Sequence, residues 1–195
     1  MTVLIDKEKI KKAVRLILEA IGEDPERPGL RETPQRVADI YEEILSGYTD
    51  QDELVGFEHF ANMVILRNVR FYSLCEHHIL PFYGSVDIVY VPNNAVIGVS
   101  KIVRIVQKYA RRLQVQEKMT TEIADEIFNS EYKPKGVLVM SRAKHMCMIM
   151  RGVKNPSVIT SIVYRGIFET DNILRSQAMM LLARNADLLE VDIFG

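Results

Sequence analysis

The chain has 195 residues, 48% of them hydrophobic and 26% charged, with 25 Lys plus Arg set against 26 Asp plus Glu. That length and balance suit a soluble α+β-sized globular protein with room for a substantial core, and the near-zero net charge supplies no field for DNA or RNA. No apolar run approaches the roughly 18 residues of a membrane span, and Met1 to Lys12 scatters charges where a secretory leader would carry its apolar stretch, so no nucleic acid, no membrane and a cytoplasmic setting are expected.

Ile10, Val14, Ile17, Leu18 and Ile21 recur at helical spacing between Asp6, a cap, and Gly22, a stop. After the polar hinge Glu23 to Gly29, Thr33-Pro34 reads as a capping hydroxyl before a helix whose apolar face is Val37, Tyr41, Ile44 and Leu45, ending at Gly47. These helices and the loop to about Phe60 are expected to form an N-terminal arm, residues 1–60, ahead of a catalytic domain, 61–195. Strands are predicted over Met63–Leu66, Arg70–Leu74, Tyr83–Val91 and Ala95–Val99, with Pro92-Asn93-Asn94 as a turn. Ser100 is read as the cap of a helix carrying Ile102, Val106, Ala110 and Leu113, and a second helix carries Met119, Ile123 and Ile127. Strands resume at Val137–Met140, Lys144–Met150 and Ser157–Phe168, and Asp171 caps a last helix to about Arg184. Strands flanking a helical pair, without βαβ alternation, predict an α+β fold: an antiparallel sheet with helices on one face.

Both cysteines and three of the four histidines fall in two short windows, Cys75-Glu76-His77-His78 and His145-Met146-Cys147. Two sulfurs and an imidazole from distant segments suit a soft-to-borderline ion such as zinc, and three protein ligands leave a fourth position open for chemistry. A Cys75–Cys147 disulfide is the competing use of the pair, disfavoured by the absence of a leader. On a strand, His145 and Cys147 share a face, so one is a ligand and the other a proton carrier. The adjacent His77 and His78 diverge, leaving one as ligand and the other as an acid or base.

Ser100, Lys101 and Arg104 gather at a helix N-terminus, where backbone amides favour an anion such as phosphate; a capped helix with a basic solvated face is the plainer alternative. Arg151, four residues beyond Cys147, adds a cation on the same predicted strand face. Glu117, beside Gln116, could accept paired hydrogen bonds from a guanine edge or simply complement a helix dipole.

The strings Glu32-Thr33-Pro34-Gln35-Arg36-Val37, Cys75-Glu76-His77-His78, Ile97 to Val106, Tyr109 to Glu117 and His145 to Val153 stand in the order seen in type I GTP cyclohydrolases, which the chain resembles from about Glu32 to Arg175. The resemblance implies a tunnelling fold and a hydrolase that opens the imidazole ring of GTP, releases carbon 8 as formate and forms 7,8-dihydroneopterin triphosphate, the entry to pterin and folate-type biosynthesis. It implies that Cys75, His78 and Cys147 hold zinc, which activates water against carbon 8. His145 would protonate nitrogen 7 and His77 would assist later proton transfers. Gln116 and Glu117 would read guanine, while Ser100, Lys101, Arg104, Arg151 and Arg36 would cradle the triphosphate. It also implies a homo-oligomer, pentamers paired as decamers, with active sites at subunit boundaries. The chain departs from the family in carrying Arg142 where an acidic residue is common, in Ser176-Gln177-Ala178-Met179 of the last helix and in its tail, Val191 to Gly195. The His-x-Glu and Pro-Cys-x-x-Cys pattern of zinc nucleobase deaminases is absent.

Overall fold

The structure, a computed structural model, describes residues 5–49 and 54–183. The tail from Val191 and the predicted end of the last helix at Arg184 lie outside the described residues.

Helix α1 (Lys7–Ala20) begins where the Asp6 carboxylate accepts the Lys9 N–H at 3.0 Å, and it ends at Gly22, whose φ of +83° suits only a residue without a Cβ clash. In α2 (Thr33–Ile44), Thr33 is the first helical residue and not a hydroxyl cap, because Glu32 before it already has helical backbone angles and takes the cap position. The helices pack as a hairpin that Lys7 clips at its open end through Asp39 and Glu42. A 3-10 turn, Ser46–Tyr48, fastens the hairpin to the rest: the Gly47 N–H donates to the Arg111 carbonyl, and the Arg112 guanidinium donates to the Gly47 carbonyl.

The remaining elements are β1 (Gly56–Phe57), β2 (Val64–Cys75), β3 (Pro81–Val91), β4 (Val96–Ile97), α3 (Val99–Ala110), β5 (Leu113–Gln114), α4 (Gln116–Phe128), β6 (Gly136–His145), α5 (Met146–Ile149), β7 (Ile159–Gly166), α6 (Ile167–Thr170) and α7 (Asn172–Ala183). A sheet of order β5-β2-β3-β6-β7 is antiparallel except where β5 joins β2 in parallel; β1 and β4 form a separate ribbon. Phe71, Phe82, Val86, Ile88, Val137 and Val139 alternate onto one face and bury against Ile102, Ile105 and Val106 of α3 and Met119, Ile123 and Ile127 of α4. The architecture is the expected α+β one. The other face is not bare: Val89, Leu138 and Met140 pack under Phe168 of α6 and Ala178 and Leu182 of α7. Asp171 starts α7 by accepting the N–H groups of Ile173 and Leu174, both at 2.9 Å.

Several boundaries differ from expectation: β3 opens at Pro81 and not Tyr83, the strand expected at 157–168 spans Ile159–Gly166 with Ile167 and Phe168 in α6, and Leu113, expected on the helix, pairs in β5 because α3 ends at Ala110. The predicted strands 63–66 and 70–74 are one strand with a bulge, since Leu66 pairs with Ile88 but Val69 with Val86. Asn68 occupies the extra position at φ +54°, which Asn tolerates, and its N–H donates to the buried Asp87 carboxylate at 2.8 Å. The strands expected at 137–140 and 144–150 are likewise continuous to His145, because Ser141, Arg142 and Ala143 stay paired with both β3 and β7. The ladder then runs out: Phe82, opposite His145, is one residue from the start of β3, and the chain turns into α5. Finally, β4 stops at Ile97, so Gly98 occupies the cap of α3 and Ser100 lies inside its first turn.

Arg142 pairs with Asp87, on the sheet face that α7 partly covers. Its place in the sequence is thereby explained: the cation neutralises the carboxylate that holds the bulge. Arg142→Glu is expected to lower unfolding stability by about 1–3 kcal/mol, read as a shift in the urea midpoint; an unmoved midpoint would dismiss the bulge's dependence on this pair. Gly84 answers to a closer constraint. A Cβ there would lie 1.8 Å from the Arg142 carbonyl oxygen on β6. Backbone cannot yield at such a distance, so Gly84→Ala should remove about 3 kcal/mol or more, measured in the same way.

Candidate active site and metal centre

Cys75 ends β2, and the next residues fold back on it: the N–H groups of His78 and Ile79 both donate to the Cys75 carbonyl, while the Cys75 N–H donates to the Leu80 carbonyl. Ile79 completes the turn at φ +54°, a strained conformation for a β-branched residue. This hook brings His78 over the Cys75 sulfur. Cys147 arrives from α5, so that the ligand atoms of Cys75, His78 and Cys147 lie within 4.8 Å of one another. Both cysteines are free. Burial first, then the neighbouring Cys75 sulfur, pushes the Cys147 thiol up from its usual range. Two thiol sulfurs and an imidazole converging this closely fit zinc, whose bonds to such donors are about 2.0–2.3 Å.

His77 borders this trio without belonging to it. Its ring stands at 86° to that of His78, and its Nδ1 is 4.0 Å from the Cys75 sulfur. Arg151 reaches His78 Nε2 at 3.1 Å. The expectation that His145, Cys147 and Arg151 share a strand face is corrected: only His145 is on the strand, Cys147 is on α5 and Arg151 follows it. The three still border one cluster because the short helix turns the chain back toward the Cys75 hook.

His145 lies on the helix-facing side of β6, with its imidazole stacked on the buried Phe82 at 4.6 Å and 5°. Burial holds the imidazole below its usual pKa, offset in part by the Glu117 carboxylate. Gln116 and Glu117 open α4 rather than linking two helices. Glu117 is exposed in the first turn, whereas Gln116 is 1% exposed and its side chain meets His145 Nε2 at 2.9 Å.

A family profile described as GTP cyclohydrolase I matches residues 10–183. The chain belongs to the GTP cyclohydrolase I family. The GTP cyclohydrolase 1 of Hyperthermus butylicus is 54% identical to it over 180 residues, covering 91% of this chain and 92% of that protein. Those of Carboxydothermus hydrogenoformans and Aquifex aeolicus are 48% and 50% identical, covering 95% and 91% of this chain and 99% and 97% of the relatives.

The other residues that the GTP cyclohydrolase I resemblance singled out are placed elsewhere. The C-terminal end of α3 lies by the cluster, since Leu113 and Gln114 pair with Leu74 and Cys75. Its N-terminal end lies by Tyr90, whose hydroxyl accepts the Ile97 N–H and which pairs with Val64 at the start of β2. A 12-residue helix is about 18 Å long. Ser100 and Lys101 therefore stand toward the opposite end of the sheet from Cys75, and Arg104 lies midway along the helix. Arg36 is exposed on α2, in the hairpin. An open groove of about 370 Å³, lined by Arg70, Tyr72, Tyr83, Ser85, Arg142 and Lys144, occupies the other sheet face and takes in none of the predicted site residues. Sequence reasoning did not find Phe82, Ser141 or Thr120 as neighbours of the site; the only signal was a hydroxyl interrupting each of two apolar stripes, at Thr120 and Ser141. Among the described residues no helix is long and apolar enough to cross a membrane.

Proposed function

We propose that this protein is a GTP cyclohydrolase that opens the imidazole ring of GTP, releases formate and forms 7,8-dihydroneopterin triphosphate. The observation that carries the reading is the convergence of Cys75, His78 and Cys147 beside His145 in a chain of this family. Cys75, His78 and Cys147 would hold zinc, which when bound would supply Lewis acidity to activate water at neutral pH. His145 exchanges a proton with the purine ring as carbon 8 is attacked and expelled, and His77, at the exposed rim, serves later transfers as the ribose opens and the ring recloses. Glu117, exposed beside His145, accepts the N–H pair of guanine, which adenine lacks. Arg151 binds triphosphate next to the cluster.

Ser100 and Lys101 lie toward the end of α3 remote from their own chain's cluster, which favours a second copy bringing them, with Arg104, to the nucleotide and Arg36 in a supporting place. Self-association, as a ring or a pair of rings, is also supported by apolar side chains left on the outside: Leu16, Ile17 and Ile21 of α1, at 64%, 59% and 68% exposure, and Ile173 of α7 at 74%. The cytoplasm is the proposed setting.

The test incubates purified, metal-analysed protein with GTP and follows formate together with the fluorescence of the oxidised pterin. Both should appear and both should vanish with a chelator. Formate alone would mean that reaction stops after ring opening; neither signal from metal-loaded protein would overturn the reading. For the shared site, His145→Ala chains co-assembled with Lys101→Ala/Arg104→Ala chains should recover turnover that neither has alone. A hybrid as inactive as its parents would mean that each chain serves its own site.

A further inference from the structure

The Gln116 side chain is fully used inside the protein. Its Nε2 lies 3.2 Å from the Ser141 carbonyl oxygen, 3.1 Å from the Ile159 carbonyl oxygen and 3.0 Å from the Ser141 hydroxyl. Carbonyl oxygens only accept hydrogen bonds, so the atom facing two of them is the NH₂ group, and a flipped amide would set oxygen against oxygen. Thr120 closes the network: its hydroxyl is 2.7 Å from both the Gln116 carbonyl oxygen and the Ser141 hydroxyl. The orientation of the amide is thus set by three elements, α4, β6 and the start of β7. What remains is Oε1, an acceptor, and it faces His145 Nε2 at 2.9 Å.

An acceptor in that place requires a hydrogen on Nε2. Phe82, stacked flat against the ring, holds the plane in which that bond is made. We propose that Gln116 is a positioning residue that holds His145 as the Nε2–H tautomer, so that Nδ1 is the atom that exchanges protons with the nucleotide. The proposal rests on the cyclohydrolase reading for the identity of the nucleotide, and on the network alone for the tautomer. The neutral ring carries its lone pair on Nδ1 and acts as an acid only after a proton is added there; the Nε2–H stays with Gln116 throughout. One ring nitrogen is committed to the protein and the other to chemistry, the division by which a partner on one imidazole nitrogen sets the role of the other. Gln116 then contributes to turnover through His145, and its side chain has no donor left for guanine.

Two measurements on the full-length, zinc-loaded protein test this. Magic-angle-spinning spectra of protein labelled with 15N-histidine, with the His145 signals assigned from a His145→Gln sample, should show a protonated Nε2 and an unprotonated Nδ1 in the neutral ring. An Nδ1–H pattern, or an even mixture of tautomers, overturns the proposal. This arm reads the ring whether or not GTP is turned over, so its failure is distinct from failure of the cyclohydrolase reading. In the second arm, Gln116→Met is compared with the parent at equal metal content and unchanged oligomer size. Loss of the acceptor in Gln116→Met should mix the tautomers and lower kcat about 10- to 100-fold with KM for GTP within about threefold. A rise in KM with kcat retained in Gln116→Met would instead make Gln116 a reader of the base. Should Gln116→Met fail to assemble, the wild-type spectrum still decides the matter.

Discussion

Replacing His145 with alanine is expected to reduce kcat for GTP by about 10²- to 10⁴-fold while the protein keeps its metal and its fold. The ring sits at the last paired position of β6, where the ladder with β3 ends, so removing it deletes one stack on Phe82 and one hydrogen bond to Gln116 but no strand pairing. The ligand trio does not include it. Steady-state kinetics, metal analysis and a melting curve on one preparation separate the outcomes. Turnover within about threefold of the parent would remove His145 from the proton path; loss of metal as well would make it part of the metal centre.

Cys147→Ser should weaken zinc binding by at least about 100-fold, beyond the 10- to 100-fold typical of losing an outer partner of a metal ligand, and abolish turnover at ordinary metal concentrations. Cys147 is the better of the two cysteines to change. Cys75 is 6% exposed and belongs to the main core, so its loss mixes packing with ligation, whereas Cys147 is partly exposed on a short helix. The variant should therefore melt like the parent held in chelator, and not lower still. Competition with a chromophoric chelator gives the affinity. A variant that binds zinc as tightly as the parent would sink the three-ligand assignment.

Much of this was readable from the chain itself, for reasons that can be named. Cysteine and histidine are scarce here, so their gathering in two windows was informative without any geometry, and the structure does bring Cys75, His78 and Cys147 together. Two local signals also held: Asp6 and Asp171 do cap their helices, because a carboxylate one turn from free N–H groups needs no tertiary context, whereas the hydroxyl caps expected at Thr33 and Ser100 fall inside their helices. What failed depended on neighbours. The polar Ser141 and Arg142 looked like a break in a strand, yet pairing on both sides carries the strand through them. His145 and Cys147 looked like one strand face, yet the ladder has no partner beyond His145, so the chain is free to coil. Gln116 next to Glu117 gave no hint that one would be buried and the other exposed, since that depends on where α4 meets β6 and β7. Asn68 gave no sign of its bulge, because the carboxylate and the guanidinium that support it come from two other strands.

Phe82 belongs to two structures at once. One edge contact, to Phe71 at 5.8 Å and 74°, ties it into the packed interior, and its flat contact with the imidazole of His145 ties it to the proposed proton path. Packing and turnover are consequently coupled at this ring: an exchange of neighbouring side chains that shifts Phe82 also shifts the surface on which the imidazole is stacked. A stabilising substitution around Phe82 therefore has to leave the plane of its ring as it found it.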